Sequence, residues 1–232
     1  MTAIDLILFD CDGVLVDSEV LAARLGAHLF GEYGVDISTQ DLCARYAGME
    51  SSEILKQVRK EYKVALPADL FERSQQMLDD LLFNELREID GAHEVLERIA
   101  GPRCICSNSS SGRLDLELTR TGLKPFFAPY IFSAMDLGPG RTKPRPDIYL
   151  HGAAEFDADP SRCLVVEDSV HGVHAAVSAG MHVIGFTGGG HSYPAHAGQL
   201  RETGAEVVIS RLSELPGLVE MYQCGERPTP AP

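Results

Sequence analysis

Basic residues are scarce in this chain of 232 residues: 20 Lys and Arg stand against 34 Asp and Glu, for a net charge of −14. That balance argues against a nucleic-acid or anionic-membrane surface. It does not exclude an anionic substrate, because a bound divalent cation and a few basic groups set the potential inside a cleft. Long apolar runs are missing as well, so nothing reads as a membrane span. The N-terminal run from Ile4 to Phe9 is short, lacks a basic leader and holds Asp5, which is not the pattern of a secretion signal. No CxxC pair occurs among the six cysteines, Cys11, Cys43, Cys104, Cys106, Cys163 and Cys224. Cys104 and Cys106 share one face of a strand, a spacing open to a soft metal, but buried free thiols in a reducing compartment are the expectation. A cytoplasmic enzyme fits these absences.

What is present suffices for one large domain, or one domain with a smaller insert: 44% of the residues are hydrophobic. Two textures divide the chain. From Asp17 to Arg87 it is helix-like: Leu21, Leu25, Leu29 and Phe30 recur at helical spacing, as do Ile54, Leu55 and Val58, and Pro67 is expected to open a longer helix. After Glu88, short apolar runs alternate with helical segments. The strand candidates are Ile4–Phe9, Cys104–Cys106, Tyr130–Phe132, Cys163–Val166, Val183–Phe186 and Val207–Ile209. Helices are expected over 112–121, 146–156 and 170–179. The strands are continuously apolar, so both sheet faces are covered, as in parallel α/β sheets. The expected fold class is α/β: an open parallel-sheet, Rossmann-like core (1–16 and 89–223) with an inserted α-helical cap (17–88). The tail 224–232, with its three prolines, is expected to fray.

In open α/β sheets, ligands bind beyond the carboxyl ends of the strands. There the first strand ends in Phe9-Asp10-Cys11-Asp12-Gly13. Bare acids beside a core are costly unless a cation or a reaction uses them. The second strand ends in Ser107-Asn108-Ser109, and the fourth in Glu167-Asp168-Ser169. Arg141-Thr142-Lys143-Pro144-Arg145-Pro146 forms a basic turn between them. These types suit phosphoryl transfer. Mg²⁺ takes carboxylate oxygens of the kind that Asp10, Asp168 and Glu167 offer. A hydroxyl and N–H groups at a helix start, at Ser107 and Asn108, bind phosphate oxygens. Lys143 neutralises both the aspartate and the phosphoryl group.

The pattern resembles the haloacid dehalogenase superfamily at all four of its motifs, in order, up to about Val219. The DxDGxLxDS motif stands as Asp10 to Ser18, the Ser/Thr motif as Ser107, the lysine motif as Lys143, and the acidic pair as Glu167-Asp168. The resemblance implies that Asp10 attacks phosphorus and that Asp12 protonates the leaving alkoxide, then activates water. It implies Mg²⁺ on the Asp10 carboxylate, the Asp12 carbonyl and Asp168, with Glu167 either on the metal or behind its ligands. Ser107 and Lys143 would hold the phosphoryl group. Carbon–halogen cleaving members lack the second aspartate, so Asp12 points away from that chemistry. Asp17 and Ser18 are expected to cap the first cap helix. His171 and His174 are expected on a helix surface rather than on zinc. Gly188-Gly189-Gly190-His191 is expected as a flexible turn rather than an anion loop, and Cys11 should point away from the acids.

The insert resembles the small cap of the subfamily that holds β-phosphoglucomutase, phosphoglycolate phosphatase and sugar-phosphate phosphatases. Its substrate loop matches Tyr46-Ala47-Gly48-Met49-Glu50-Ser51, with Gly48 a substrate-binding position. Mutases show a lysine before that glycine and an arginine three positions after it. Here Ala47 and Ser51 stand instead, and Ser110 replaces a further lysine. Hydrolysis of a small phosphate ester is therefore favoured over the alternative, a phosphosugar mutase. The texture of Phe9–Glu19 and Asp90-Gly91-Ala92 is most similar to the 6-phosphogluconate phosphatase branch. Lys56, Lys60 and Lys63 lie outside the cap loop, which argues against a Schiff-base phosphonatase. A phosphate-binding protein without turnover would be expected to lack the nucleophile or the acid, and both are present.

Overall fold

The computed structural model describes residues 3–46, 49 and 51–228. Six parallel strands form one sheet: β1 (Leu6–Phe9), β2 (Arg103–Ser107), β3 (Ile131–Ser133), β4 (Cys163–Glu167), β5 (His182–Phe186) and β6 (Val207–Ile209). Their order is β3-β2-β1-β4-β5-β6. Successive side chains on a strand face opposite ways. Ile7 and Phe9 therefore join α5 (Ala92–Arg98), α6 (Ser111–Thr121) and α10 (Leu215–Gln223) in one core cluster. Leu6 and Leu8 join α7 (Asp147–Ala154), α8 (Val170–Ser178) and α9 (His196–Thr203) in another. Each enclosed Leu or Phe contributes about 1.5–3 kcal/mol, so both faces need apolar residues. Cys104 and Cys106 belong to the second cluster as free, buried thiols with sulfurs 4.0 Å apart.

Between β1 and β2 the chain leaves the sheet as α1 (Ser18–Gly31), α2 (Thr39–Tyr46), α3 (Ser51–Tyr62) and α4 (Leu70–Glu85). These helices enclose a cluster of their own, with Leu29, Phe30, Leu42, Val58 and Leu70 inside. This is the helical cap. Its two connections run side by side: Asp17 N–H donates to the Arg87 carbonyl (3.0 Å) and Ile89 N–H to the Leu15 carbonyl (2.9 Å). Pro67 does not open α4. It lies in a turn before it, and its carbonyl accepts from Leu70 N–H. Tyr130 likewise stays outside β3, because its N–H closes a turn onto the Phe127 carbonyl (2.7 Å). Beyond α10, Arg227 places its guanidinium 4.6 Å from the Tyr222 ring centroid. Among the described residues no helix is long and apolar enough to cross a membrane.

Candidate active site

The register of three central strands assembles the site. Phe9 pairs with Ile105 of β2 and with Val166 of β4, so the residues that follow each strand emerge side by side. Asp10 N–H still bonds the Val166 carbonyl (3.0 Å), which brings its side chain beside Glu167. Lys143 enters from the loop before α7. Its Nζ lies 2.7 Å from Asp10 Oδ1 and 2.7 Å from Glu167 Oε1, with all three side chains buried. Asn108 fixes that loop: Lys143 N–H donates to its Oδ1 (2.9 Å), and its Nδ2 donates to the Lys143 carbonyl (3.4 Å). The Asn108 side chain therefore holds the lysine's backbone in place.

Burial pushes the Asp10 carboxyl well above its usual range; Lys143 opposes this, and Glu167, Asp168 and Asp12 reinforce it. Burial pulls the Lys143 ammonium down, but Asp10 and Glu167 outweigh it and hold the group well above its ordinary value. Carboxylate oxygens of Asp10, Glu167 and Asp168 come within 4.8 Å of one another. Two of these buried acids flank the Lys143 ammonium and the third, Asp168, lies beside them, a cluster of the hard oxygen donors that Mg²⁺ prefers. The residues present fit such an ion. Glu167 fits least directly. Its Oε1 accepts from Lys143 and from Tyr149 OH (3.1 Å), and its Oε2 from Ser169 N–H (2.7 Å) and Ser169 OH (3.1 Å).

Asp12 is held differently, by hydroxyls. Its Oδ1 accepts from Ser18 (2.5 Å), and its Oδ2 from Ser109 (2.7 Å) and Ser107 (3.3 Å). This corrects the expectation for Asp17 and Ser18, neither of which is a side-chain cap of α1. Asp17 accepts from Gly190 N–H (2.9 Å) instead, which ties the start of the cap to a distant core loop. Cys11 points away as expected, its sulfur 3.8 Å from Glu117 within the core.

The Gly188–His191 segment is not a loose turn. His191 is buried, with Nε2 2.8 Å from Asp168 Oδ2. Burial lowers its pKa, but Asp168 reverses the effect and raises it to about 9. The glycines permit this packing: a Cβ at Gly189 would lie 2.7 Å from the His191 ring, and one at Gly190 2.9 Å from Asp17. Gly13, at φ +73°, is equally constrained, since a Cβ there would lie 2.1 Å from Asp168 Oδ2. His196 sits behind, its Nε2–H donating to the Asp168 carbonyl (2.6 Å). His174 is exposed and His171 half-buried, and neither joins the acidic cluster.

A cavity of about 620 Å³ opens between these strand ends and the cap. Sequence reasoning missed three of its charged groups. Glu19, in the first turn of α1, faces this space; burial raises its pKa to about 7. Glu117 of α6 is enclosed completely, its Oε1 without a partner among the described residues. Arg113 of α6 reaches the cap, donating to Asp79 Oδ1 through Nε (3.1 Å) and through a terminal nitrogen (2.7 Å), and to Gln75 Oε1 (3.0 Å). The signal available for Glu117 and Arg113 was their helical offset from Ser110, which predicts direction but not partner. Gly48, proposed to touch substrate, lies outside the described residues, as does Ala47; Lys56, Lys60 and Lys63 do not line the cavity.

Known proteins resemble this chain in sequence and fold. The family model described as haloacid dehalogenase-like hydrolase matches residues 7–186. A 6-phosphogluconate phosphatase of Escherichia coli is 32% identical over 195 residues, covering 84% of this chain and 87% of that protein. A solved haloacid dehalogenase-like protein of unknown function from Agrobacterium tumefaciens superposes with a TM-score of 0.91 at 54% identity, covering 94% of this chain and 98% of that one. A hydrolase of the same family from Deinococcus radiodurans, solved with bound phosphate and sodium, gives a TM-score of 0.82 at 31% identity with all of both chains covered. With the four motifs converging on one sheet edge and this likeness along the whole fold, the chain belongs to the haloacid dehalogenase-like hydrolases.

Proposed function

We propose that the protein is a Mg²⁺-dependent phosphomonoesterase that hydrolyses a small phosphorylated metabolite, a sugar phosphate, through an aspartyl-phosphate on Asp10. One observation carries this reading: two carboxylates two residues apart are held in contrasting ways, Asp10 by an ammonium and Asp12 by three hydroxyls. The ammonium opposes the effect of burial on Asp10 and favours its anion, the form that attacks. The three hydroxyls fix the direction of the Asp12 carboxyl group beside it.

In the first step an Asp10 oxygen bonds to phosphorus as the ester P–O bond breaks, and the Asp12 carboxylic acid gives its proton to the leaving alkoxide. In the second, Asp12 takes a proton from the water that attacks phosphorus, and the Asp10–phosphorus bond breaks to release phosphate. Ser107 and Lys143 hold the phosphoryl oxygens in both. Asp10, the Asp12 carbonyl and Asp168 would hold Mg²⁺, with Glu167 behind them, and the ion supplies charge stabilisation to the phosphoryl group. Phosphate-monoester hydrolysis can call for up to ~10²¹-fold acceleration, whereas a general acid gives roughly 10²–10⁴. Positioning and charge must therefore supply most of the remainder. The core is taken as 1–16 and 89–223 and the cap as 17–88, with Gly48 kept as a substrate-binding position on the strength of the family resemblance alone.

Phosphate release from a panel of sugar phosphates, with and without Mg²⁺, tests the proposal. Release is expected only with Mg²⁺, and Asp10→Asn should abolish it while the protein stays folded. Absence of release from every ester, or turnover by Asp10→Asn, would overturn it.

A further inference from the structure

Of the three clustered acids, Asp10 and Glu167 meet Lys143, from the loop before α7. Asp168 is held by a different segment, the connection between β5 and α9. His191 Nε2 lies 2.8 Å from its Oδ2, and His196 Nε2–H donates to its backbone carbonyl (2.6 Å). Ser192 Oγ, 3.2 Å from His196 Nδ1, fixes that second ring in turn. Asp168 Oδ1 accepts no hydrogen bond among the described residues. A carboxylate with one oxygen held and the other open has its direction set before an ion arrives, so binding does not have to immobilise a free side chain.

The connection that carries His191 is itself braced. A Cβ on Gly189 would lie 3.1 Å from the Gly13 carbonyl, and one on Gly13 would lie 2.7 Å from the His191 ring as well as against Asp168. Ring and carboxylate therefore press on the turn after β1 and have no room to swing. One residue before His191, Gly190 N–H donates to Asp17 Oδ1 (2.9 Å). Asp17 is where the chain leaves for the cap, and its own N–H bonds the Arg87 carbonyl where the chain returns (3.0 Å). Both cap connections thus bear on the loop that presents His191.

We infer that His191 is a positioning residue for the metal site: from a loop tethered to the cap by Asp17, it holds the Asp168 carboxylate in the cluster with Asp10 and Glu167. The inference rests on the reading of that cluster as a Mg²⁺ site and adds to it a histidine outside the four motifs. A histidine that only filled the core, or one that competed with the ion for Asp168, would leave different marks.

Calorimetric titration of Mg²⁺ into the metal-free, full-length protein reads the site without turnover. His191→Ala should raise the Kd for Mg²⁺ by at least about tenfold, the usual loss when a partner of a metal-ligating side chain is removed. His191→Gln, whose amide nitrogen lies as many bonds from the backbone as Nε2, should recover most of that loss. Asp17→Ala should raise the Kd severalfold, although its contact is with Gly190 rather than with the acids. Asp17→Asn removes the charge but keeps an acceptor for Gly190 N–H, and should stay near wild type. Circular dichroism checks that each variant folds, and the Asp17 pair reads the tether even where His191→Ala does not. An unchanged Kd in His191→Ala, or a tighter one as for a group competing with the ion, would overturn the positioning role. Equal Kd values for Asp17→Ala and Asp17→Asn would overturn the tether. Absence of Mg²⁺ binding to wild type would overturn the metal reading itself, and shows before any substitution is made.

Discussion

Glu117 is a carboxyl that the fold encloses completely, between the Cys11 sulfur and the neighbourhood of Asp12. Burial, then the Asp12 charge, raises its pKa well above the ordinary carboxylate range. The sign of the consequence follows from proton linkage. The unfolded chain releases this proton near pH ~4.3, whereas the native protein keeps it to higher pH. Native protein thus binds more protons in that window, and stability falls as pH rises through it. Glu117→Gln removes the linkage, since the amide stays neutral and its NH₂ can donate toward Asp12. The melting temperature of the variant relative to wild type should therefore climb from pH 5 to pH 8. A constant difference across that range would show that Glu117 is ionised in the native state. Residues of this kind mark the limit of what the sequence tells. Asp10, Asp12, Ser107, Lys143, Glu167 and Asp168 are legible because each ends or follows a strand or sits in a basic turn beside one. Glu117 is not, because its partner Cys11 lies 106 positions away and only the packing of α6 on the sheet brings them together. His191 hides for a similar reason: a run of three glycines reads as freedom, yet here their missing side chains let the loop press against Asp17 and Gly13.

Helix α8 rests directly on the site, and a glycine makes the contact possible. A Cβ at Gly172 would lie 1.6 Å from Glu167 Oε1 and 1.9 Å from its carboxyl carbon. Glu167 cannot yield cheaply, because both oxygens already accept hydrogen bonds and one of them holds Lys143. Gly172→Ala should therefore lower stability by about 1–3 kcal/mol, the usual cost of overpacking, and cut kcat because Lys143 loses one of the two carboxylates that fix it. Gly198, inside α9, has nothing within 4 Å of an added Cβ. Gly198→Ala should raise stability by roughly 0.5–1 kcal/mol through helix propensity alone. Urea unfolding of the two variants checks both signs, and equal shifts would mean that the contact at Glu167 is not what distinguishes them. The elements themselves are largely readable beforehand. Continuous apolar runs such as Cys163–Val166 announce strands covered on both faces, and both clusters flanking the sheet bear that out. Element ends are less readable, since the turn bonds at Pro67 and Tyr130 leave no hydrophobic pattern.

For the whole molecule, the net charge of −14 and the acids at the strand ends act in the same direction. Without a cation, Asp10 and Glu167 share the Lys143 ammonium and Asp168 is met by His191, and the repulsion that remains among the three buried carboxylates is part of the cost of folding. A divalent ion that binds the native site and not the unfolded chain shifts the balance by mass action, by about 2.7 kcal/mol at a hundred times its Kd. For a chain of this length each kcal/mol moves the melting temperature by about 2–4 °C. Saturating Mg²⁺ should thus raise it by roughly 5–10 °C, well beyond the rise in NaCl of equal ionic strength, because general screening relieves only the exposed charges. Asp168→Asn takes one carboxylate out of the cluster. It should raise the metal-free melting temperature relative to wild type while erasing most of the response to Mg²⁺. These opposite changes separate a metal site from a structural acid. A purely structural Asp168, paired with His191, would instead lower stability on substitution and leave the Mg²⁺ response intact. Thermal melts of wild type and Asp168→Asn with chelator, with MgCl₂ and with matched NaCl decide between them.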